Sequence, residues 1–216
     1  MITTGLPRQV SFLKKTKAMI INFTNKYQFT SRLELKGQVV QIVDKMKILG
    51  VTITIILNWN ENTSILVQNV NKRMQLIRAV WAFGSTIPEI VHLWKIYCLS
   101  VLEQSCVVWG SSLTQENIDN LERTQKTFAK LILREKYLNY ESALRRLDLQ
   151  SLSERRKELT LRFANSCIEN NKLNEHLVLR KTEHVMELRK PQLYRTTMAH
   201  TERFKKSSIL YMRKNY

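Results

Sequence analysis

The sequence predicts an α+β chain: a short antiparallel β segment, the edge of a larger sheet, followed by a predominantly α-helical region. Three observations predict it. β-Branched residues concentrate between Ala18 and Leu57, and Val51, Ile53 and Ile55 alternate with Thr52 and Thr54, the period of a half-buried strand. After Asn58 the apolar residues recur at helical spacing. Finally, 44% apolar and 25% charged residues in a chain of 216 describe a folded protein with enough sequence for a sizeable core.

Taken in order, strands are expected over 19–23, 38–43 and 48–57. Gly37 supplies a turn, and Gly50 marks a bulge or a close backbone approach. Asn62-Thr-Ser64 offers cap residues for a helix carrying Ile65, Val70, Leu76, Ile77 and Val80, which ends at Phe83-Gly84. Pro88 suits the first turn of a buried helix over 87–109. Thr114 caps a helix with a stripe of Ile118, Leu121, Phe128 and Leu131/Ile132, and Glu122 and Lys126 are spaced as an i,i+4 ion pair. Ser151-Leu-Ser-Glu154 is a capping box. Beyond about residue 170 the apolar spacing loosens and Pro191 interrupts, which predicts a basic, partly irregular tail. The expected organisation is a β segment over 1–60, helices over 61–170 and the tail over 171–216.

Charge narrows the partners. With 35 Lys+Arg against 18 Asp+Glu the chain carries +17, a field that favours polyanions, with RNA or DNA bound without regard to sequence ahead of an anionic membrane surface. Residues 1–60 contribute +7, residues 61–150 +2 and residues 151–216 +8, so both ends are basic around a nearly neutral middle. The three cysteines form no Cys-x-x-Cys pair and the four histidines do not fall at zinc-ligand spacing with them, so neither a disulfide framework nor a zinc site is expected. The start of the chain lacks the pattern of a signal peptide, and residues 87–109 carry too many polar interruptions for a bilayer span. An intracellular protein, cytoplasmic or nuclear, is expected; nothing in the sequence fixes its oligomeric state.

Lys14, Lys15 and Lys17 precede an apolar run and are candidates for contact with phosphate, against the ordinary reading of a solvated charge run. Arg155, Arg156, Arg203, Lys205 and Lys206 are candidates for sequence-independent contacts with a nucleic-acid backbone. Trp81, Trp94 and Trp109 sit in apolar stripes and read as core, whereas Trp59 lies among polar residues and is the better base-stacking platform.

The order of motifs is similar to the C-terminal part of the reverse transcriptases of non-LTR (LINE-like, jockey-like) retrotransposons. The likeness rests on Lys15-Thr-Lys17, then Leu49-Gly-Val51 with Leu57-Asn-Trp59, then Val101-Leu-Glu-Gln-Ser-Cys-Val-Val-Trp109 and Leu121-Glu-Arg-Thr-Gln125. Tyr140 with Ala143-Leu144 and Leu147, Ser151-Leu with Arg155-Arg156, and the closing Thr201-Glu-Arg-Phe continue it. The resemblance implies a palm edge, a thumb and a tail. It implies that Lys15 faces the incoming triphosphate and that Leu49, Gly50 and Val51, with Trp59 behind them, form the primer grip. The chain departs from the family at Phe12, where an asparagine is usual, and at Leu210, where a proline is usual.

Such polymerases hold two Mg ions on clustered carboxylates that activate the primer hydroxyl and stabilise the leaving group. Here the aspartates are Asp44, Asp119 and Asp148, with no Asp-Asp pair and no Tyr-x-Asp-Asp turn. No catalytic residue, metal ligand or cofactor is therefore assigned to this chain, and a fragment that binds nucleic acid without polymerising is expected. The other expectation is a free-standing helical module, derived from such an element, that binds nucleic acid or protein.

Overall fold

The computed structural model describes residues 16–21, 32–170, 198–199 and 201–215. It is predominantly helical with short strands in small sheets, within the expected α+β class. The chain divides into two compact units, residues 1–62 and 63–216.

Among the described residues the first unit holds three two-stranded ribbons. β1 (Lys17–Ala18) pairs in parallel with β4 (Gln41–Ile42), and β2 (Glu34–Leu35) pairs antiparallel with β3 (Gln38–Val39). β5 (Lys45–Ile48) and β6 (Val51–Thr54) form the longest hairpin, with Ile48 opposite Val51. The expected strand over 48–57 is thus the end of one strand, a turn and a second strand. Leu49 and Gly50 are the two loop residues, at φ 47° and 89°, so Gly50 serves a tight turn rather than a bulge. Positive φ at both central residues is the sign pattern that matches a hairpin's twist, and Lys36 and Gly37 repeat it between β2 and β3. The expected strand over 38–43 is likewise divided at Val40, whose buried N–H donates to Leu33 at 2.9 Å.

α1 (Asn60–Ala82) begins two residues before the expected cap. Asn62 is buried, and its Oδ1 accepts from the Thr52 N–H at 3.0 Å, so its amide ties the hairpin to the helix start instead of capping the helix. Farther along α1 the buried face is Leu66, Val70, Met74 and Ile77, a spacing of four, four and three, while the expected core residue Leu76 is exposed.

The expected helix over 87–109 is broken in the structure. α2 (Ile87–Leu93), with Pro88 in its first turn and a Thr86/Glu89 capping box, passes into a π-helical turn (Trp94–Leu99) and then α3 (Ser100–Glu103). Ser105 lies in the left-handed region at φ 52°, which ends the run before α4 (Cys106–Trp109). Here the Trp109 indole N–H donates to the freed Gln104 carbonyl at 3.0 Å, so the break satisfies an indole that the core buries completely.

α5 (Gln115–Leu133) starts where Thr114 predicts, the hydroxyl accepting from the Asn117 N–H at 3.3 Å. Its apolar face places Phe128 against Trp94, the rings stacked 13° from parallel with centroids 4.3 Å apart and both residues fully buried. α6 (Tyr140–Arg146) and α7 (Leu152–Glu169) follow, each with a capping box, that of α7 being the expected Ser151/Glu154 pair.

Most of the tail expected to be partly irregular lies outside the described residues, but its described end is ordered. α8 (Glu202–Lys205) and α9 (Ser208–Asn215) are helical, and Leu210 and Met212 are buried. The Ser208 hydroxyl donates to the Val108 carbonyl at 2.9 Å and the Ser112 hydroxyl to that of Lys206 at 2.8 Å, which docks the tail on the end of α4. The buried Leu210 and Met212 explain the docking: a basic segment still packs if it presents one greasy edge.

Phe128→Ala removes one half of the buried stack and leaves a cavity; a loss of about 3–5 kcal/mol is expected, read from the urea midpoint at unchanged slope. Burial is the main cause that pushes the Cys98 and Cys106 thiols up to about 11. At pH 8 the native chain should therefore resist iodoacetamide at both sites, and both should alkylate readily once urea unfolds it.

Candidate nucleic-acid interface

Two groups of polar residues lie on α5, on opposite sides of the helix. The inward group is Glu122, Thr124 and Gln125, all buried. Glu122 accepts from the Tyr140 hydroxyl at 2.5 Å and from the Ser153 N–H at 2.8 Å. Gln125 donates to the Gln150 carbonyl at 2.8 Å and to the Tyr140 oxygen at 3.2 Å. Burial, and then the hydrogen bond to Glu122, push the Tyr140 phenol well above its ordinary range. Glu122 thus clamps α6 and the start of α7 to α5. The i,i+4 pair with Lys126 expected from the sequence does not form, because the carboxylate turns into the core and accepts from α6 and α7 at once.

The outward group is cationic. Arg123, Lys126 and Lys130 are exposed on α5 three and four residues apart, over roughly 10 Å at about 1.5 Å per residue, and Arg134, exposed in the 3-10 turn just past the helix end at φ 48°, continues the row. Aromatic rings flank it. Lys126 lies 5.1 Å from the Tyr140 ring centroid, Lys130 5.5 Å from that of Tyr137, and Arg134 6.0 Å from that of Trp81. Among the described residues none of these four cations forms an ion pair with a carboxylate within 4 Å; Arg123 instead donates to the Asn120 amide at 2.9 Å. Cations held against ring faces and left without counter-charges can neutralise phosphates while the rings meet bases or sugars.

The residues singled out from sequence are placed differently. Lys14 and Lys15 lie outside the described residues. Lys17 is exposed on β1, opposite Gln41. Leu49 and Gly50 form the β5–β6 turn, with Leu49 92% exposed, whereas Val51 is buried. Trp59 is half-buried ahead of α1. Arg203 falls in α8, and the side chains of Lys205 and Lys206 are exposed at its end.

Arg155 and Arg156 do not present themselves as the expected surface pair. Arg155 is bonded through Nε and Nη2 to the Glu103 carboxylate, hydrogen bonds that raise its pKa. Arg156 is 4% exposed, and a Cβ added at Gly110 would stand 3.4 Å from its Cδ. Its Nη1 is buried with no hydrogen-bond partner, and burial lowers its pKa. The reason is helical phase: on α7 these positions lie beside Leu152 and Thr160, on the side that packs against α4 and α5.

The exposed stripe itself was missed. Its spacing was legible in the sequence, but the helix was read from its apolar stripe of Ile118, Leu121, Phe128 and Leu131/Ile132, and the regularity shows only when the outward face is read separately.

Among the described residues no three His, Cys, Asp or Glu side chains gather so as to hold a metal ion. No described helix is long and apolar enough to cross a membrane. Comparison with protein-family models, with curated proteins and with solved structures finds no match to this chain.

Tyr140→Phe leaves one oxygen of the buried Glu122 carboxylate without its donor. Stability should fall by about 1–3 kcal/mol, measured by denaturant unfolding. An unchanged midpoint would show that the carboxylate does not depend on this bond.

Proposed function

We propose that this chain is a nucleic-acid-binding fragment of a retroelement RNA-directed DNA polymerase, comprising palm edge, thumb and tail, and that by itself it does not polymerise. One observation carries the binding: the exposed stripe Arg123, Lys126, Lys130 and Arg134, backed by Tyr137, Tyr140 and Trp81 and without paired carboxylates. The assignment to that polymerase family rests on the order of motifs in the sequence. In that assignment Lys15 is the triphosphate-facing residue and the Leu49-Gly50 turn, with Val51 and Trp59, is the primer grip. Inactivity follows from the sequence, whose three aspartates are scattered and include no Asp-Asp pair.

A second reading is a free-standing helical module. The helical unit favours it, since Trp94, Trp109 and Phe128 give residues 63–216 a core of their own. Both readings use the same surface, and they part on whether residues 1–62 add to binding.

Phosphate contacts release counterions, so affinity should fall steeply with salt. In filter binding with a single-stranded oligonucleotide, Lys126→Gln/Lys130→Gln/Arg134→Gln should flatten the slope of log K against log salt by about 2, at about 0.7 per lost contact. Absence of any binding by the wild-type chain at low salt would sink the reading. Primer extension with Mg should yield no product, and measurable extension would overturn the claim of inactivity.

A further inference from the structure

A second basic surface lies in the helical unit. Two adjoining depressions of about 490 and 310 Å³ share Lys95 and Asp148. The larger adds Arg145 and Arg155, and the smaller adds His92 and Arg146. Arg155 is committed to Glu103. Arg145 and Arg146 are exposed and, among the described residues, form no ion pair. Lys95 is paired with Asp148 at 3.5 Å, and the Asp148 side chain is fully exposed.

Asp148 is an unexpected residue for its position. α6 ends in a Schellman motif: the Leu149 N–H donates to the Leu144 carbonyl at 2.9 Å and the Asp148 N–H to that of Arg145 at 3.4 Å. Asp148 therefore holds the site just past the helix end, at φ 49°, where glycine is the usual choice. It also sets a negative charge at the negative end of the helix dipole, where cations are favoured. Aspartate, like asparagine, tolerates that φ, so the departure is its charge, and what the carboxylate reaches is Lys95, in a groove that Arg145 and Arg146 also line. Sites that break local rules without a packing gain are where function is sought.

The geometry points to a nucleic-acid phosphate site at Lys95, Arg145 and Arg146, with Asp148 as a built-in competitor that occupies Lys95 until a phosphodiester displaces it. An ion pair whose carboxylate is fully exposed is weak, so the exchange is easy. The phosphate then gains Lys95 and Arg145 together, whereas Asp148 swings into water. This rests on the nucleic-acid reading above and extends it: the groove is a second phosphate contact, throttled by the chain itself.

The test is oligonucleotide binding across a salt series by the full chain and its variants. Asp148→Asn keeps a residue that tolerates positive φ and removes the charge. It should tighten binding severalfold and steepen the salt slope by about 0.7, one more single-strand contact. Glu116→Gln, an exposed carboxylate two turns before the stripe, removes the same charge and should give a much smaller gain. Adding Arg145→Ser to Asp148→Asn should abolish the gain. Equal gains for Asp148→Asn and Glu116→Gln, or a gain that survives Arg145→Ser, would overturn the site. If the Lys126/Lys130/Arg134 variant loses affinity while Asp148→Asn gains none, the groove fails and the stripe stands. A wild type that binds no oligonucleotide sinks both. Side-chain NMR signals of Lys95 and Arg145 that shift with inorganic phosphate but not with oligonucleotide would overturn nucleic acid as the ligand.

Discussion

The stack of Trp94 on Phe128 is the contact on which the helical unit is organised. It joins the π-helical turn, which lies between α2 and α3, to the middle of α5, and both rings are out of water. Aromatic pairs of this kind add roughly 0.5–1.5 kcal/mol beyond the area they bury. Fixing the phase of α5 has a larger consequence than that energy. With Phe128 facing Trp94 and Ala129 buried beside it, the opposite face of the helix is turned outward, and Lys126, Thr127 and Lys130 are exposed to solvent. The cationic stripe is the geometric complement of the core stripe, and neither can be moved without the other.

The same phase carries Glu122 and Gln125 into the interior, where polar groups are costly unless fully satisfied. The fold answers with donors from two later segments, the Tyr140 hydroxyl and the Ser153 N–H, for one carboxylate. This makes α6 and the start of α7 dependent on α5 through directional bonds as well as through packing. Arg155, at its bond with Glu103, ties α7 to α3 in the same way. The unit is thus held by a few charged groups placed inward, while the exposed cations of α5 and α6 are left without counter-charge. That division explains how a strongly basic chain holds a compact core and still carries a field available to polyanions.

Helix starts were legible because a cap is a local event: Thr114 with Asn117, and Ser151 with Glu154, close within four residues. Buried tryptophans were legible for the same kind of reason, since Trp94 and Trp109 lie in apolar runs too dense for a surface. The β segment was less so. A run such as 48–57 reads as one strand by alternation, and the turn at Leu49-Gly50 depends on where its partner Lys45–Ile48 ends. Nor was the break at Ser105 legible, because its compensation is the indole of Trp109, supplied only once both sides are folded.

The class of the fold, the net charge and the scattering of the aspartates could be read from composition and short-range order. Tertiary structure decided which cations face water. Arg155 and Arg156 are as basic in sequence as Lys126 and Lys130, yet helical phase against α4 and α5 turns the first two inward, to Glu103 and to the Gly110 backbone, and leaves the others exposed. The groove around Lys95 and Asp148 is likewise invisible in the sequence, because its two sides lie some fifty positions apart and meet only in the folded helical unit. A charge acquires a role from what surrounds it, and that surrounding is set by burial, which no count of lysines and arginines contains.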